Sequence, residues 1–251
     1  MDQFKNVIDS HNHSKQILTL LYEYDSFMDS IRTVADMGCG SGMDIKWWAE
    51  LTTRDDPPEP HEYKCFAVDT NIKQIEPEIL ETPNITPIQA NFEDGRVIPV
   101  NIDLMWSHNS FQYALNPLNT LKNWNQMMNT NGMLVLSLPQ HQTYQYNRIH
   151  TRSISGCYYH YNVCNLMYML AVNGFDCRDC YVWMDTNNAW MHFAVYKSAD
   201  PLEPASTSWF DLADLNLIND SAITSLNNYG YVRQEDLMFT WLDKDWRFAK
   251  N

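Results

Sequence analysis

Residues 34–44 read VADMGCGSGMD, with Gly38, Gly40 and Gly42 at alternate positions behind a short apolar run. Glycines there let the backbone turn tightly and approach a ligand closely, so the question is which ligand. The GxGxG spacing brings the third glycine one residue early for the GxGxxG that holds a dinucleotide pyrophosphate. A triphosphate loop needs Lys-Ser/Thr after its last glycine, and Met43-Asp44 stand in that place. Asp36, just before the loop, would face two negative charges if a pyrophosphate lay there. At an effective dielectric of about 20 that costs on the order of a few kcal/mol. The same carboxylate attracts a ligand that carries an ammonium and a sulfonium. Its competing reading is a cap on the loop's own amides. Asp69 lies 27 residues beyond Gly42, where a carboxylate can accept both hydroxyl hydrogens of a ribose. Its competing reading is a helix N-cap.

These residues need a scaffold that delivers them to one place. IRTVADM (31–37) reads as a strand entering the loop and MDIKWWAELTTR (43–54) as the helix leaving it. EYKCFAVD (62–69) is a second strand, followed by a short helix around 72–78; NITPIQAN (84–91) and VNIDLMWS (100–107) are the third and fourth. NPLNTLKNWNQMM (116–128) has helical spacing and ends at a turn, TNG. GMLVLSLP (132–139) is apolar throughout, as expected of a central parallel strand. After a polar, aromatic stretch at 140–161 comes a helix, VCNLMYMLAVNG, and then two strands, FDCRDCYVWMD and NAWMHFAVYK, paired as an antiparallel hairpin. Strand–helix alternation predicts an α/β fold, a doubly wound and mostly parallel sheet with helices on both faces. The glycine loop, Asp69, Asn91 and Ser107 all fall at predicted strand ends, where such sheets bind ligands.

With these elements in order, VADMGCGSG, FAVDTN, IQANFED and IDLMWSHNSFQYALNP resemble the class I S-adenosylmethionine-dependent methyltransferases. The resemblance spans about 31–197 and includes the terminal strand pair, which separates that family from nucleotide-binding dehydrogenases. It implies a seven-stranded Rossmann-like sheet with one antiparallel terminal strand, and S-adenosyl-L-methionine as cofactor. It also implies that Asp36, Gly38, Cys39, Gly40 and Gly42 surround the methionine moiety. Asp69 would hold the ribose with Thr70 nearby, Asn91 and Phe92 would face adenine, and Ser107 and His108 would flank the methionine end. Asn91 departs from the Asp of many relatives, although an amide oxygen can still meet the adenine amine.

Methyl transfer needs an acceptor aligned with the methyl and kept from water, with a base in reach if the acceptor must lose a proton. His141, two residues after Pro139, is the first candidate base and His108 the second. Gln112, Tyr144, Arg148, His150 and Arg152 are candidate acceptor contacts. A solvated loop histidine and surface ion pairs are the competing readings. The expected acceptor is a small molecule, such as a sugar or other metabolite. The alternative is a non-catalytic cofactor-binding or protein-interaction module of the same fold.

Composition supports the small molecule. There are 17 Lys and Arg against 31 Asp and Glu, a formal −14, which repels phosphate backbones and makes nucleic acid a poor partner. The chain also lacks the Asn/Asp-Pro-Pro-Tyr/Phe of nucleobase amino-methylating enzymes after its fourth strand. The N-terminus has no signal-peptide pattern and no apolar run is long enough to cross a bilayer, so a cytoplasmic protein is expected. Cys177-Arg-Asp-Cys180 is a lone CxxC inside a predicted strand, read as a buried thiol pair rather than a metal site. No metal is expected. Three parts follow: a helical lid at 1–30 containing His11 and His13, the cofactor-binding domain at 31–197, and a helical extension at 198–251. That extension carries Trp209, Phe210, Phe239, Trp241 and Trp246, which would cover the acceptor site or support a homodimer.

Overall fold

The computed structural model describes residues 17, 21, 30–51, 63–139, 159, 161–185 and 190–239. Seven strands form one sheet: β1 (Thr33–Met37), β2 (Lys64–Asp69), β3 (Ile85–Gln89), β4 (Ile102–His108), β5 (Met128–Pro139), β6 (Phe175–Asp185) and β7 (Trp190–Lys197). Their order is β3-β2-β1-β4-β5-β7-β6. Only β7 runs against its neighbours, pairing antiparallel with both β5 and β6. The chain lays down β1, β2 and β3 in one direction and then returns to place β4 on the other side of β1. That reversal is the switch point, where open α/β sheets leave a crevice at the carboxyl ends of the strands.

Polar side chains at the opposite end of the sheet fix the β1–β4–β5 register. The backbone N–H groups of Arg32 and Thr33 both donate to Asp103 Oδ2 at 2.9 Å, and Asn129 Nδ2 donates to its Oδ1 at 2.7 Å. Burial alone would raise the Asp103 carboxyl, but these hydrogen bonds outweigh it and hold the group below the usual carboxylate range. β5 starts earlier than its apolar pattern implies. The TNG segment lies inside the strand as an irregularity, with Asn131 at φ 63° and a shifted register between Ile102 and Leu104. A turn-like composition there marks a bulge rather than a strand end.

Helices α1 (Met43–Ala49), α2 (Pro77–Leu80), α3 (Pro117–Met127) and α4 (Val163–Val172) connect the strands. Proline opens α2 and α3, where its missing N–H costs nothing. A reciprocal Asn162–Asn165 capping box opens α4. The sheet divides the core in two. Ile17 and Leu21, both helical and buried, pack with α1 against one face, on Val34, Leu104, Trp106, Met133, Val135 and Ala194. The other face packs Ala35, Met105, Leu134, Leu136 and Phe193 against α3 and α4.

Over its described residues the C-terminal extension is less helical than its sequence implies, with α5 (Trp209–Asp214), α6 (Asp220–Tyr229) and a 3-10 turn at Gln234–Asp236. Leu212, Leu217, Ile218, Ala222, Leu237 and Phe239 are buried in the same core as the α3/α4 face. Tyr168 of α4 donates to Thr207 O at 2.6 Å and stacks near Trp209, which ties the extension to the domain. The Cys177 N–H donates to Leu217 O at 2.9 Å, so the segment 217–218 pairs briefly along β6. That pairing occurs where β6 leaves its register with β7, between Asp176 and Tyr181. Both thiols of the CxxC are buried there. Cys180 donates to Cys177 O and Cys177 to Met167 O, as a packed thiol pair would. No helix among the described residues is long and apolar enough to cross a membrane.

Candidate functional site

The glycine loop joins β1 to α1 at the switch point. The N–H groups of Gly38 and Cys39 both donate to Val68 O of β2, at 2.8 and 3.0 Å, which pins the loop to the neighbouring strand. All three loop glycines have positive φ, a conformation that side-chained residues rarely adopt. They differ in surroundings. A Cβ on Gly38 would overlap the side chain of Ser110, and one on Gly42 would press on Ile75 and Ile79. Among the described residues, a Cβ on Gly40 would meet nothing within 4 Å. Gly38 and Gly42 therefore serve packing, whereas Gly40 borders open space that a ligand can enter.

Three carboxylates surround the loop. Asp36 is buried on β1 and bonds the Ile45 backbone N–H, which ties the strand to α1. Burial first, and then the charges of Asp44 and Asp69, push its carboxyl well above the usual range. Asp69, at the end of β2, accepts the Gly40 N–H at 3.1 Å and the Asn71 N–H at 2.9 Å. Thr70 is exposed beside it, with its hydroxyl 3.5 Å from Asp69 Oδ1. Asp44, buried in the first turn of α1, accepts Trp106 Nε1–H at 3.0 Å and lies 3.1 Å from His108 Nδ1. Cys39 is buried, and its thiol is pushed up by burial and by Asp36 and Asp69, so it is a packing group and not a nucleophile.

At the adenine end proposed from sequence, Asn91 turns its Oδ1 onto the Glu93 N–H at 3.1 Å. Phe92 is half-buried, 6.2 Å from the Trp124 ring, and its own carbonyl accepts Trp124 Nε1–H at 2.7 Å. Glu93 accepts the backbone N–H groups of Leu115 and Asn116, which fastens this loop to the start of α3.

Beyond β4, the two residues that sequence placed together lie on opposite faces. Ser107 is buried on the α3/α4 side. It shares a 2.7 Å hydrogen bond with Ser110, whose hydroxyl is also 2.6 Å from Met37 O. His108 is on the α1 side, against Asp44 and 5.1 Å from the Trp190 ring. Gln112 is buried, with Nε2 donating to Asn109 Oδ1 at 2.7 Å and its Oε1 without a hydrogen-bond partner among the described residues. His141, Tyr144, Arg148, His150 and Arg152 lie outside the described residues, as do His11 and His13. Among the described residues no group of three His, Cys, Asp or Glu side chains is placed to hold a metal ion.

Sequence reasoning passed over Asp44, Trp106, Ser110 and His192. Asp44 carried a signal, an acid two residues beyond the last glycine. His192 carried none, because only the register His108–Ser137–His192 brings it into the same row.

The donor set fits a cationic ligand bearing a ribose. Three carboxylates attract positive charge and disfavour phosphates, Gly40 leaves a cradle that a Cβ would fill, and Asp69 stands at the strand end.

Residues 35–136 match the family model described as a methyltransferase domain. No curated protein matches the chain by sequence. Among solved structures, the N-methyltransferase NodS of Bradyrhizobium japonicum is similar at TM-score 0.54 and 12% identity, over 79% of this chain and 100% of that one. A SAM-dependent methyltransferase of Thermotoga maritima is similar at TM-score 0.55 and 12% identity, over 78% and 96%. A complex of the Haloferax volcanii Trm112 methyltransferase activator with a methyltransferase contains a chain similar at TM-score 0.55 and 12% identity, over 75% and 95%. At these identities the structural likeness speaks for the fold.

Proposed function

We propose that this chain, which has the class I S-adenosylmethionine-dependent methyltransferase fold and a methyltransferase-domain match, binds S-adenosyl-L-methionine and methylates a small-molecule acceptor. One observation carries the reading: Asp36, Asp44 and Asp69 converge around an open glycine at the sheet's switch point. When bound, the cofactor supplies a methyl carbon on a sulfonium whose sulfur leaves with the bonding pair. The protein's own groups orient and exclude. Gly38, Cys39 and Gly40 hold the backbone open beside the methionine end, with Asp36 behind them as counter-charge. Asp69 exchanges its bond to the Gly40 N–H for ribose hydroxyls. Asn91 and Phe92 border the adenine. A formal charge of −14 favours a small, neutral or cationic acceptor over a nucleic acid.

Calorimetric titration with S-adenosylmethionine, S-adenosylhomocysteine and NAD tests this. Both sulfur compounds should bind at sub-millimolar concentration and NAD should not; failure of both sulfur compounds would reject the reading. Incubation with methyl-labelled cofactor and a metabolite extract then separates an enzyme from a binding module, since only an enzyme passes label to another compound.

A further inference from the structure

We propose that His108 takes the proton from the methyl acceptor, that Asp44 is its positioning residue, and that the acceptor atom is therefore one that must lose a proton, with a hydroxyl or an amine as the first classes to test. This assignment rests on the methyltransferase reading above. His108 Nδ1 lies 3.1 Å from Asp44 Oδ2, with the two side chains only 5% and 6% exposed. The same oxygen accepts Trp106 Nε1–H at 3.0 Å, so the carboxylate is fixed from two directions. A carboxylate facing Nδ1 selects the tautomer with its hydrogen there, which makes Nε2 the basic nitrogen.

The alternative is that Asp44 and His108 are merely a satisfied polar pair in the core. Their position argues against that. Along the α1 face each strand is apolar until its last residues. β1 runs from Val34 to Asp36, β4 from Leu104 through Trp106 to His108, and β5 from Met133 and Val135 to Ser137. β7, running the other way, begins with Trp190 and His192 before Ala194. Among the described residues, the buried polar side chains of this face therefore collect at the ligand-binding end, where burying them is costly and a core would gain nothing from them. The dyad also borders the cofactor site directly. Trp106 pairs with Asp36 across β1 and β4, and Asp44 stands two residues beyond Gly42. Among the described residues Asp44 of α1 faces His108 directly, Asp36 of β1 couples to Asp44, and His192 of β7 follows in the register row His108–Ser137–His192, with Ser137 Oγ 2.9 Å from His192 Nδ1. The half-buried Trp190 ring lies tilted against that of His108, with centroids 5.1 Å apart.

The step balances simply. The acceptor's O–H or N–H bond breaks, its proton passes to Nε2, and the electron pair remains on the acceptor atom for the new bond to carbon. The imidazolium keeps its Nδ1–H on Asp44. A thioether or an already carbanionic carbon would have no use for this arrangement.

Histidine-selective 15N labelling tests the dyad without any acceptor. The imidazole whose signals vanish in His108→Gln should carry hydrogen on Nδ1 and a lone pair on Nε2. That tautomer should be lost or mixed in the isosteric Asp44→Asn, and S-adenosylhomocysteine should shift the Nε2 resonance. A wild-type His108 protonated on Nε2 would overturn the proposal. So would an unmoved resonance while calorimetry shows the compound bound. Absence of binding in calorimetry would instead sink the methyltransferase reading, with the tautomer still deciding the dyad. With labelled cofactor and a panel of amines and alcohols, His108→Gln should lower transfer about a hundredfold, with the KM for cofactor within about twofold. Full transfer by that variant, or label appearing only on thioethers, would also overturn it.

Discussion

The two faces of the sheet are built from the same strands and serve different ends. On the α3/α4 face, alternate residues stay apolar to the tips of the strands: Ala35 and Met37 on β1, Leu134, Leu136 and Leu138 on β5, Met191, Phe193 and Val195 on β7. Its polar exception, Ser107, is consumed by Ser110, which in turn donates to Met37 O. On the α1 face the same strands end in Asp36, His108, Ser137 and His192. A period of two therefore lets one strand contribute to a dry core and to a polar site at once, with no residue asked to do both. The contrast teaches that stability and chemistry are separable here by parity alone.

That separation can be broken or sharpened by substitution. Phe193→Ala, on the apolar face, should cost about 3–5 kcal/mol of stability in denaturant titration. The folded fraction should bind cofactor within about twofold of wild type; a large loss of affinity would show that the faces are coupled. Gly38→Ala straddles both faces, since φ 85° and the overlap with Ser110 strain it whatever the ligand does. It should lose about 1–3 kcal/mol of stability and cofactor affinity together. Asp69→Ala, at the polar end, should leave the unfolding midpoint nearly unchanged and weaken cofactor binding at least about tenfold, or about 1.4 kcal/mol. Unchanged affinity would mean that the ribose is held elsewhere.

The smallest effect is expected at Asp36 and runs in opposite directions for folding and binding. Burial, Asp44 and Asp69 raise its carboxyl above the unfolded value, so the folded state holds the extra proton and loses stability as pH rises through that raised value. Asp36→Asn should therefore stabilise the ligand-free protein by about 0.5 kcal/mol or more at neutral pH, while weakening cofactor binding. In wild type a cationic ligand favours the ionised carboxyl. Binding should release a proton and tighten by up to about tenfold per pH unit over the range where Asp36 titrates. Calorimetry in buffers of different ionisation enthalpy measures that proton directly.

Much of this was legible in the sequence, because its signals are local. The glycine spacing, the acids after two apolar runs and the strand–helix alternation each depend on a few neighbouring residues, and a doubly wound, mostly parallel sheet followed. What escaped depends on parity and register. Ser107 and His108 are adjacent in WSHN, yet the pleat sends one to each face. Asp44, Trp106 and His192 meet only once β1, β4, β5 and β7 are aligned. The helical pattern of 209–237 was readable, but not its interruption at 215–219, where Leu217 and Ile218 leave helical geometry to pack on β6.

The backbone pairing of Cys177 with 217–218 has a consequence for how the chain is made. β6 is one of the two border strands of the sheet, the other being β3, and an uncovered border recruits strands from other molecules. Its cover comes from residues 40 positions later, so a growing polypeptide presents a finished border before it owns the means to close it. A chain stopped after Lys197 should bring all seven strands and still aggregate, whereas one carried through Phe239 should remain dispersed. The segment would then be a guardian of nascent-chain solubility as much as a part of the native core.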